Sequence, residues 1–112
     1  MRNFYTLMFC ALSLLSIGLA IPFILKKVPP NEVYGFRTAR SLANEKVWYA
    51  ANYFSGWTLL IAGIVSLLAI IILHFNPQWV PEARYYGFVV TALYLAPLII
   101  AVILSFVYST RL

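Results

Sequence analysis

Two arginines and a group of aromatic residues give residues 31–52 the side chains best suited to specific chemistry in this chain. Arg37 and Arg40 carry planar guanidinium groups, whose fixed fork of N–H donors suits phosphate or carboxylate oxygens. The aromatic side chains that could stack on a bound group are Tyr34, Phe36, Trp48 and Tyr49. This combination predicts binding chemistry in the segment.

Catalytic chemistry has little support. The carboxylates are Glu32, Glu45 and Glu82, and no two have the spacing of a helical acid–base pair. One cysteine, Cys10, and one histidine, His74, are too few for a metal site or an activated nucleophile. We therefore expect a protein that is not an enzyme and that has no metal and no cofactor.

The composition predicts an integral membrane protein. The chain has 112 residues, of which 63% are hydrophobic and 10% charged, far outside the soluble range. Three stretches without Asp, Glu, Lys or Arg predict spans at about 4–25, 53–73 and 85–108, which must be helices to satisfy their backbones in lipid. We expect an all-α fold in one membrane domain, 1–112, with a polar loop at 26–52. The first span is too long for the apolar region of a signal peptide, so we expect an uncleaved anchor.

Basic residues indicate how the chain is oriented. On the side of the loop lie Lys26, Lys27, Arg37, Arg40, Lys46 and Arg111, against Arg2 and Arg84 on the other side. The positive-inside rule then places the loop and the C-terminus in the cytoplasm and the N-terminus outside. Anionic lipid headgroups are an expected partner. Nucleic acid is not an expected partner, because the sequence contains no soluble basic domain that could bind it.

Within the loop, the sequence indicates an extended entry followed by a helix start. Pro29 and Pro30 cannot continue a helix, and residues 34–36 are typical of a turn. Ser41 or Asn44 is the expected N-cap of the following helix, because either side chain can accept from a free N–H of the first turn. We expect that helix to begin in the headgroup layer and to run on into the second span.

The spacing of four residues places Asn44, Trp48, Asn52 and Gly56 along one face of that helix. An amide near the start of a span prefers a protein partner to lipid, so Asn52 should point into the protein. Gly56 allows another backbone to approach closely. These features favour helix packing over ligand binding at this face.

Two residues outside the loop give further expectations. Pro97 lacks an N–H and should leave the Leu93 carbonyl without its helical partner, with a kink there. His74 lies at a predicted helix end, where we expect a histidine in contact with solvent or headgroups. Proton sensing is the alternative for His74.

Two hypotheses are open for Arg37. It could bind lipid phosphates, or it could be held by Asn31, Asn44 or Asn52 and organise a rigid cap over the helices that recognises a partner. The second hypothesis predicts that Arg37→Ala abolishes activity without changing membrane insertion.

The segment Asn31-x-x-Tyr-Gly-Phe-Arg-Thr-x-x-Ser-x-x-Asn-x-x-x-Trp-x-x-Ala-Asn52 resembles the signature of the SdpI family of small bacterial multi-pass membrane proteins. The resemblance extends over most of the chain from Val28 onward. The matching positions, which are candidates for partner binding, are Asn31, Tyr34, Gly35, Phe36, Arg37, Thr38, Ser41, Asn44, Trp48 and Asn52. The resemblance carries no catalytic residues.

The resemblance implies a bacterial cytoplasmic-membrane protein that protects its host against a membrane-active peptide, as in immunity to a secreted sporulation-delay toxin. Some members of that family also hold a transcriptional repressor at the membrane, although those members are longer. The principal alternative is a small structural or accessory subunit of a larger membrane complex. A transporter working as an oligomer is less favoured, because the spans lack charged residues.

Overall fold

Each of the three main helices of this chain contains a long apolar stretch without charged residues. The computed structural model describes residues 2–112, and its helices are α1 (Arg2–Ile24), α2 (Ala39–Ala43), α3 (Glu45–His74) and α4 (Ala83–Ser109). A 3₁₀ turn at Pro77–Trp79 connects α3 to α4. Three of these helices are long and apolar enough to cross a membrane, and residues 2–112 contain no strand. The predicted all-α membrane fold is confirmed.

The helix bounds differ most from the predicted spans at α3. Its 30 residues rise about 45 Å, which exceeds a hydrocarbon core of about 30 Å. The polar first turns, residues 45–52, are continuous with the apolar part, as the sequence predicts. The two other long helices begin and end within about two residues of the predicted spans. The assignment of 1–112 to a single domain stays a prediction.

Glycines on α3 bring α1 close to it. A Cβ on Gly56 would lie 3.1 Å from the Ala20 carbonyl oxygen, and one on Gly63 would lie 2.8 Å from Ile17 Cγ1. Both distances are shorter than ordinary contacts, so an added side chain would require a neighbour to shift. The close approach predicted for Gly56 is confirmed. α3 is the central helix, since it packs against both α1 and α4.

A cluster of buried hydrophobic residues lies at the end of the molecule opposite the loop. Its buried members are Phe9, Ile70, Leu73, Tyr86 and Val90. Aromatic contacts continue this packing between the outer helices, where the rings of Phe9 and Tyr94 are 5.4 Å apart. α1 and α4 are therefore closely packed at this end.

Polar groups of the three long helices meet beside that core. The Thr6 hydroxyl hydrogen-bonds the buried Tyr86 hydroxyl and lies 3.4 Å from His74 Nδ1. The Arg2 guanidinium lies over the Tyr86 ring, 4.6 Å from its centroid. His74 is partly buried in this cluster, so it is less solvated than the sequence suggested.

The carbonyl freed by Pro97 finds a partner on a neighbouring helix. Pro97 lies inside α4 and cannot donate to Leu93. Ser66 of α3, which is buried, donates its hydroxyl to the Leu93 carbonyl at 3.1 Å. The carbonyl that Pro97 leaves without a helical partner thus forms a hydrogen bond between α4 and α3.

Candidate functional site: a polar cap over an apolar groove

Asn31 begins the cap by fixing the turn after the two prolines. Its Oδ1 accepts from the N–H groups of Val33 (2.9 Å) and Tyr34 (2.7 Å). Its Nδ2 donates to the carbonyls of Pro29 (2.9 Å) and Tyr34 (3.0 Å). One amide therefore holds the chain on both sides of the turn.

Tyr34 attaches this turn to α1. Its hydroxyl donates to the Leu19 carbonyl, and its ring lies 4.5 Å from the Phe23 ring. Partial burial raises the pKa of the Tyr34 phenol, because desolvation disfavours the phenolate. The hydroxyl consequently stays protonated and able to donate.

Gly35 is the point of closest approach between the loop and the helices. Its φ of +129° is a conformation that L side chains rarely adopt. A Cβ there would lie 3.0 Å from both Asn52 Oδ1 and Trp48 Cη2, and 3.2 Å from Phe23 Cε1. Glycine is required at this position by the backbone angle and by the available space.

Asn52 and Trp48, on the inner face of α3, hold the next part of the loop. Asn52 is buried and pairs with the main chain of Phe36, accepting from its N–H at 2.7 Å and donating to its carbonyl at 3.2 Å. Trp48 is fully buried and donates from Nε1 to the Val28 carbonyl at 2.8 Å. The prediction that Asn52 seeks a protein partner is confirmed.

Three of the polar motif residues cap the N-termini of α2 and α3. Thr38 caps α2 by accepting from the Ser41 N–H (3.1 Å), while the Ser41 hydroxyl accepts from the Thr38 N–H (2.8 Å). Asn44 caps α3 by accepting from the Lys46 N–H at 2.9 Å. The predicted choice between Ser41 and Asn44 is thus settled for Asn44, while Ser41 lies inside α2 and completes a capping box.

Arg37 does not have the partners that the sequence hypothesis gave it. It is exposed and donates to the main-chain carbonyl of Glu32. The amides of Asn31, Asn44 and Asn52 are bonded to main-chain groups instead. The hypothesis that one of these asparagines pins Arg37 was wrong, although a hydrogen-bonded cap does form.

Arg40 connects the cap to the end of α4. Its Nη1 donates to the Thr110 carbonyl at 3.0 Å, beside Arg111. Within residues 2–112 the one ion pair closer than 4 Å joins Arg84 and Glu82, at the other end of the molecule. Arg37, Arg40 and Arg111 therefore surround the cap without acidic partners.

An apolar groove of about 250 Å³ lies directly beneath the cap. Its roof is residues 34–36 and its floor is α3, while α1 and α4 form its walls. The walls and floor include Leu19, Phe23, Thr58, Leu98, Val102 and Ser105. Thr58 and Ser105 bond each other at 3.0 Å, so the groove presents few free polar groups.

The sequence that forms the cap and the two following helices matches a known protein family. The model of the SdpI/YfhL protein family matches residues 27–109, which include the cap, α3 and α4. The chain belongs to the SdpI/YfhL family. Family membership was predicted from the motif and is confirmed, and it supports a multi-pass membrane protein.

A curated member of the SdpI/YfhL family is similar in sequence to part of this chain. It is the uncharacterized protein YfhL of Bacillus subtilis (strain 168), which is 38% identical over 45 residues. The match covers 38% of this chain and 41% of YfhL, so the chain spans less than half of that relative. No solved structure matches this chain.

The main-chain acceptors of the cap and the groove beneath it were not predicted from the sequence. The Leu19 and Val28 carbonyls that receive Tyr34 and Trp48 are main-chain atoms, and the residue types at those positions give no signal for them. Thr58 and Ser105 could have been noticed as hydroxyls in apolar spans, where they usually bond another helix.

Proposed function

We propose that this protein protects the membrane that contains it against a membrane-active peptide, and that an apolar segment of the peptide binds in the groove beneath the cap. One observation carries the proposal: three motif residues of an immunity-type family, Tyr34, Gly35 and Phe36, form the roof of this groove. The proposed role is binding without catalysis.

The apolar lining of the groove supports an apolar peptide segment as the occupant. Its volume lies just below the range of about 300–1,000 Å³ typical of small-molecule pockets. Side chains of an inserted peptide could enter from the bilayer past Val102, which is 54% exposed at the groove wall. The arginines around the cap could hold a carboxylate of the same peptide.

We also propose that the cap faces the cytoplasm, in a bacterial inner membrane. The excess of basic residues at the cap end supports this orientation. A peptide arriving from outside would then reach the groove through the bilayer.

The test is survival of a strain sensitive to a secreted sporulation-delay toxin. Val102→Trp fills the groove and should abolish protection. Ile103→Trp is the matched control, because Ile103 is 55% exposed on the same helix and does not line the groove. Equal protection by both variants, at equal amounts in the membrane, would contradict the proposal.

An accessory-subunit role has one supporting observation. A second apolar groove of about 290 Å³ lies between α3 and α4 near Pro97 and could receive a helix of another protein. Stoichiometric co-purification with a larger complex in mild detergent, without any protection by the wild type, would favour this role.

A further inference from the structure

Lys26 ends α1 in a backbone conformation that glycine would adopt more easily. Its φ of +58° is the one positive value at a non-glycine position among residues 2–112. The Lys26 N–H donates to the Phe23 carbonyl (3.0 Å) and the Lys27 N–H to the Pro22 carbonyl (2.9 Å). This is the Schellman arrangement, in which glycine usually occupies the position of Lys26. A side chain there costs free energy, which favours a role for the lysine side chain itself.

That side chain faces an open groove on the surface of the cap end. Lys26 Nζ lies 5.1 Å from the centroid of the Tyr53 ring, which holds the ammonium by a cation–π interaction. The groove has a volume of about 640 Å³ and is also lined by Glu45, Lys46 and Tyr49. It shares no lining residue with the groove beneath the cap, so this inference does not depend on the proposed function.

The three charged side chains of this groove do not neutralise one another. Neither Lys26 nor Lys46 lies within ion-pair distance of Glu45, since the ion pair of the described residues is Glu82–Arg84. A ligand that satisfies all three needs one negative group for the lysines and one positive group for the carboxylate. Lysine ammonium groups bind phosphate, and a primary ammonium can donate to a carboxylate.

We infer that this groove binds the phosphoethanolamine headgroup of a membrane phospholipid. The phosphate lies between the Lys26 and Lys46 ammonium groups, and the amine donates to Glu45. Tyr49 lines the site and Tyr53 contacts Lys26, and because tyrosines concentrate at membrane–water interfaces, a lipid is the favoured source of the headgroup. The site thereby fixes the junction of α1 and α3 in the headgroup layer.

Lipid retention in nanodiscs tests the inference. The full chain is reconstituted with equal amounts of phosphatidylethanolamine, phosphatidylglycerol and phosphatidylcholine, and the retained lipids are counted by native mass spectrometry. Phosphatidylethanolamine should be retained about tenfold over phosphatidylcholine, whose quaternary amine cannot donate to Glu45. Glu45→Gln should reduce the preference for phosphatidylethanolamine over phosphatidylglycerol. Equal retention of the three lipids by the wild type would overturn the inference.

The Lys26→Gly variant distinguishes a role of Lys26 in lipid binding from a role in stability. Glycine relieves the backbone, so the melting temperature in detergent should be unchanged or higher, while retention of phosphatidylethanolamine falls. Lys27→Gly is the control, because Lys27 is exposed and does not line the groove; retention should be unchanged. A lower melting temperature for Lys26→Gly with unchanged retention would make Lys26 a structural residue and overturn the site.

The source of the headgroup is tested by soluble O-phosphoethanolamine. Millimolar amounts should stabilise the delipidated protein much less than phosphatidylethanolamine does. Equal stabilisation would identify a soluble ligand and overturn the assignment to a lipid.

Discussion

The side-chain amide of Asn52 forms two hydrogen bonds with the peptide groups of Phe36, sixteen residues earlier in the chain. Asn52 is buried on α3, whereas Phe36 belongs to the roof of the groove. The position of the roof is therefore set by an amide inside the helix bundle. Changes in the cap should appear first as a loss of this pairing.

Asn52→Leu should destabilise the protein by about 1–3 kcal/mol, because it leaves the Phe36 N–H without a partner and its carbonyl with only the Ser41 hydroxyl, 3.3 Å away. Unfolding in detergent measures the change. Asn76→Leu is the control, since Asn76 makes an exposed bond to the Ile72 carbonyl at the opposite end. An equal, small effect of the two substitutions would show that the Asn52 pairing contributes little.

Gly35→Ala and Gly18→Ala should have opposite effects on stability. At Gly35 the added Cβ meets Asn52 and Trp48 at 3.0 Å in an unfavourable backbone conformation, so a loss of at least about 1 kcal/mol is expected. At Gly18, inside α1, nothing lies within 4 Å of the new Cβ, and alanine should stabilise the helix by about 0.5–1 kcal/mol. Thermal melts of both variants test the contrast, and a stable Gly35→Ala protein would contradict it.

Ser66 and Pro97 should be energetically coupled through the Leu93 carbonyl. Ser66→Ala should cost about 0.5–1.5 kcal/mol when Pro97 is present, because the carbonyl then loses its donor. In a Pro97→Ala background, the alanine N–H can restore the helical bond, so Ser66→Ala should cost less. A double-mutant cycle measures the difference, and strictly additive effects would exclude the coupling.

The attachment of Tyr34 to α1 should weaken only in alkaline solution. The folded pKa of the phenol is raised above its unfolded value of about 10, so its contribution is complete below that pH. It is lost as the pH rises through the folded pKa, when the phenolate can no longer donate to the Leu19 carbonyl. Stability measured between pH 8 and 11 should fall in the wild type and fall less in Tyr34→Phe. The same alkaline loss in both proteins would assign it to another group.

Hydrophobicity and local capping rules account for what could be predicted from the sequence. The three apolar stretches specify the long helices, and the spacing of Trp48, Asn52 and Gly56 specifies the inner face of α3. Asn44 was identified as a cap because its side chain acts on N–H groups only two residues away. These are local properties of the chain.

The relations between distant parts could not be predicted in the same way. The hypothesis for Arg37 was wrong because the neighbouring asparagines bond to peptide groups, whose presence does not depend on residue type. The contacts between α1 and α4 run from Thr6–Tyr86 to Ser16–Tyr94, and the groove lies beyond them, toward the cap. That arrangement is a property of the assembled bundle and has no signal in any one segment.

Cross-linking from the groove wall tests the proposed function most directly. A small aliphatic diazirine residue at position 102 or at position 103 is illuminated in cells exposed to a membrane-active peptide against which the wild type protects them. The account predicts a covalent adduct with the peptide from position 102, inside the groove, and little from position 103 on the neighbouring lipid-facing surface. Equal adducts from both positions, or an adduct from 103 alone, would contradict binding in the groove.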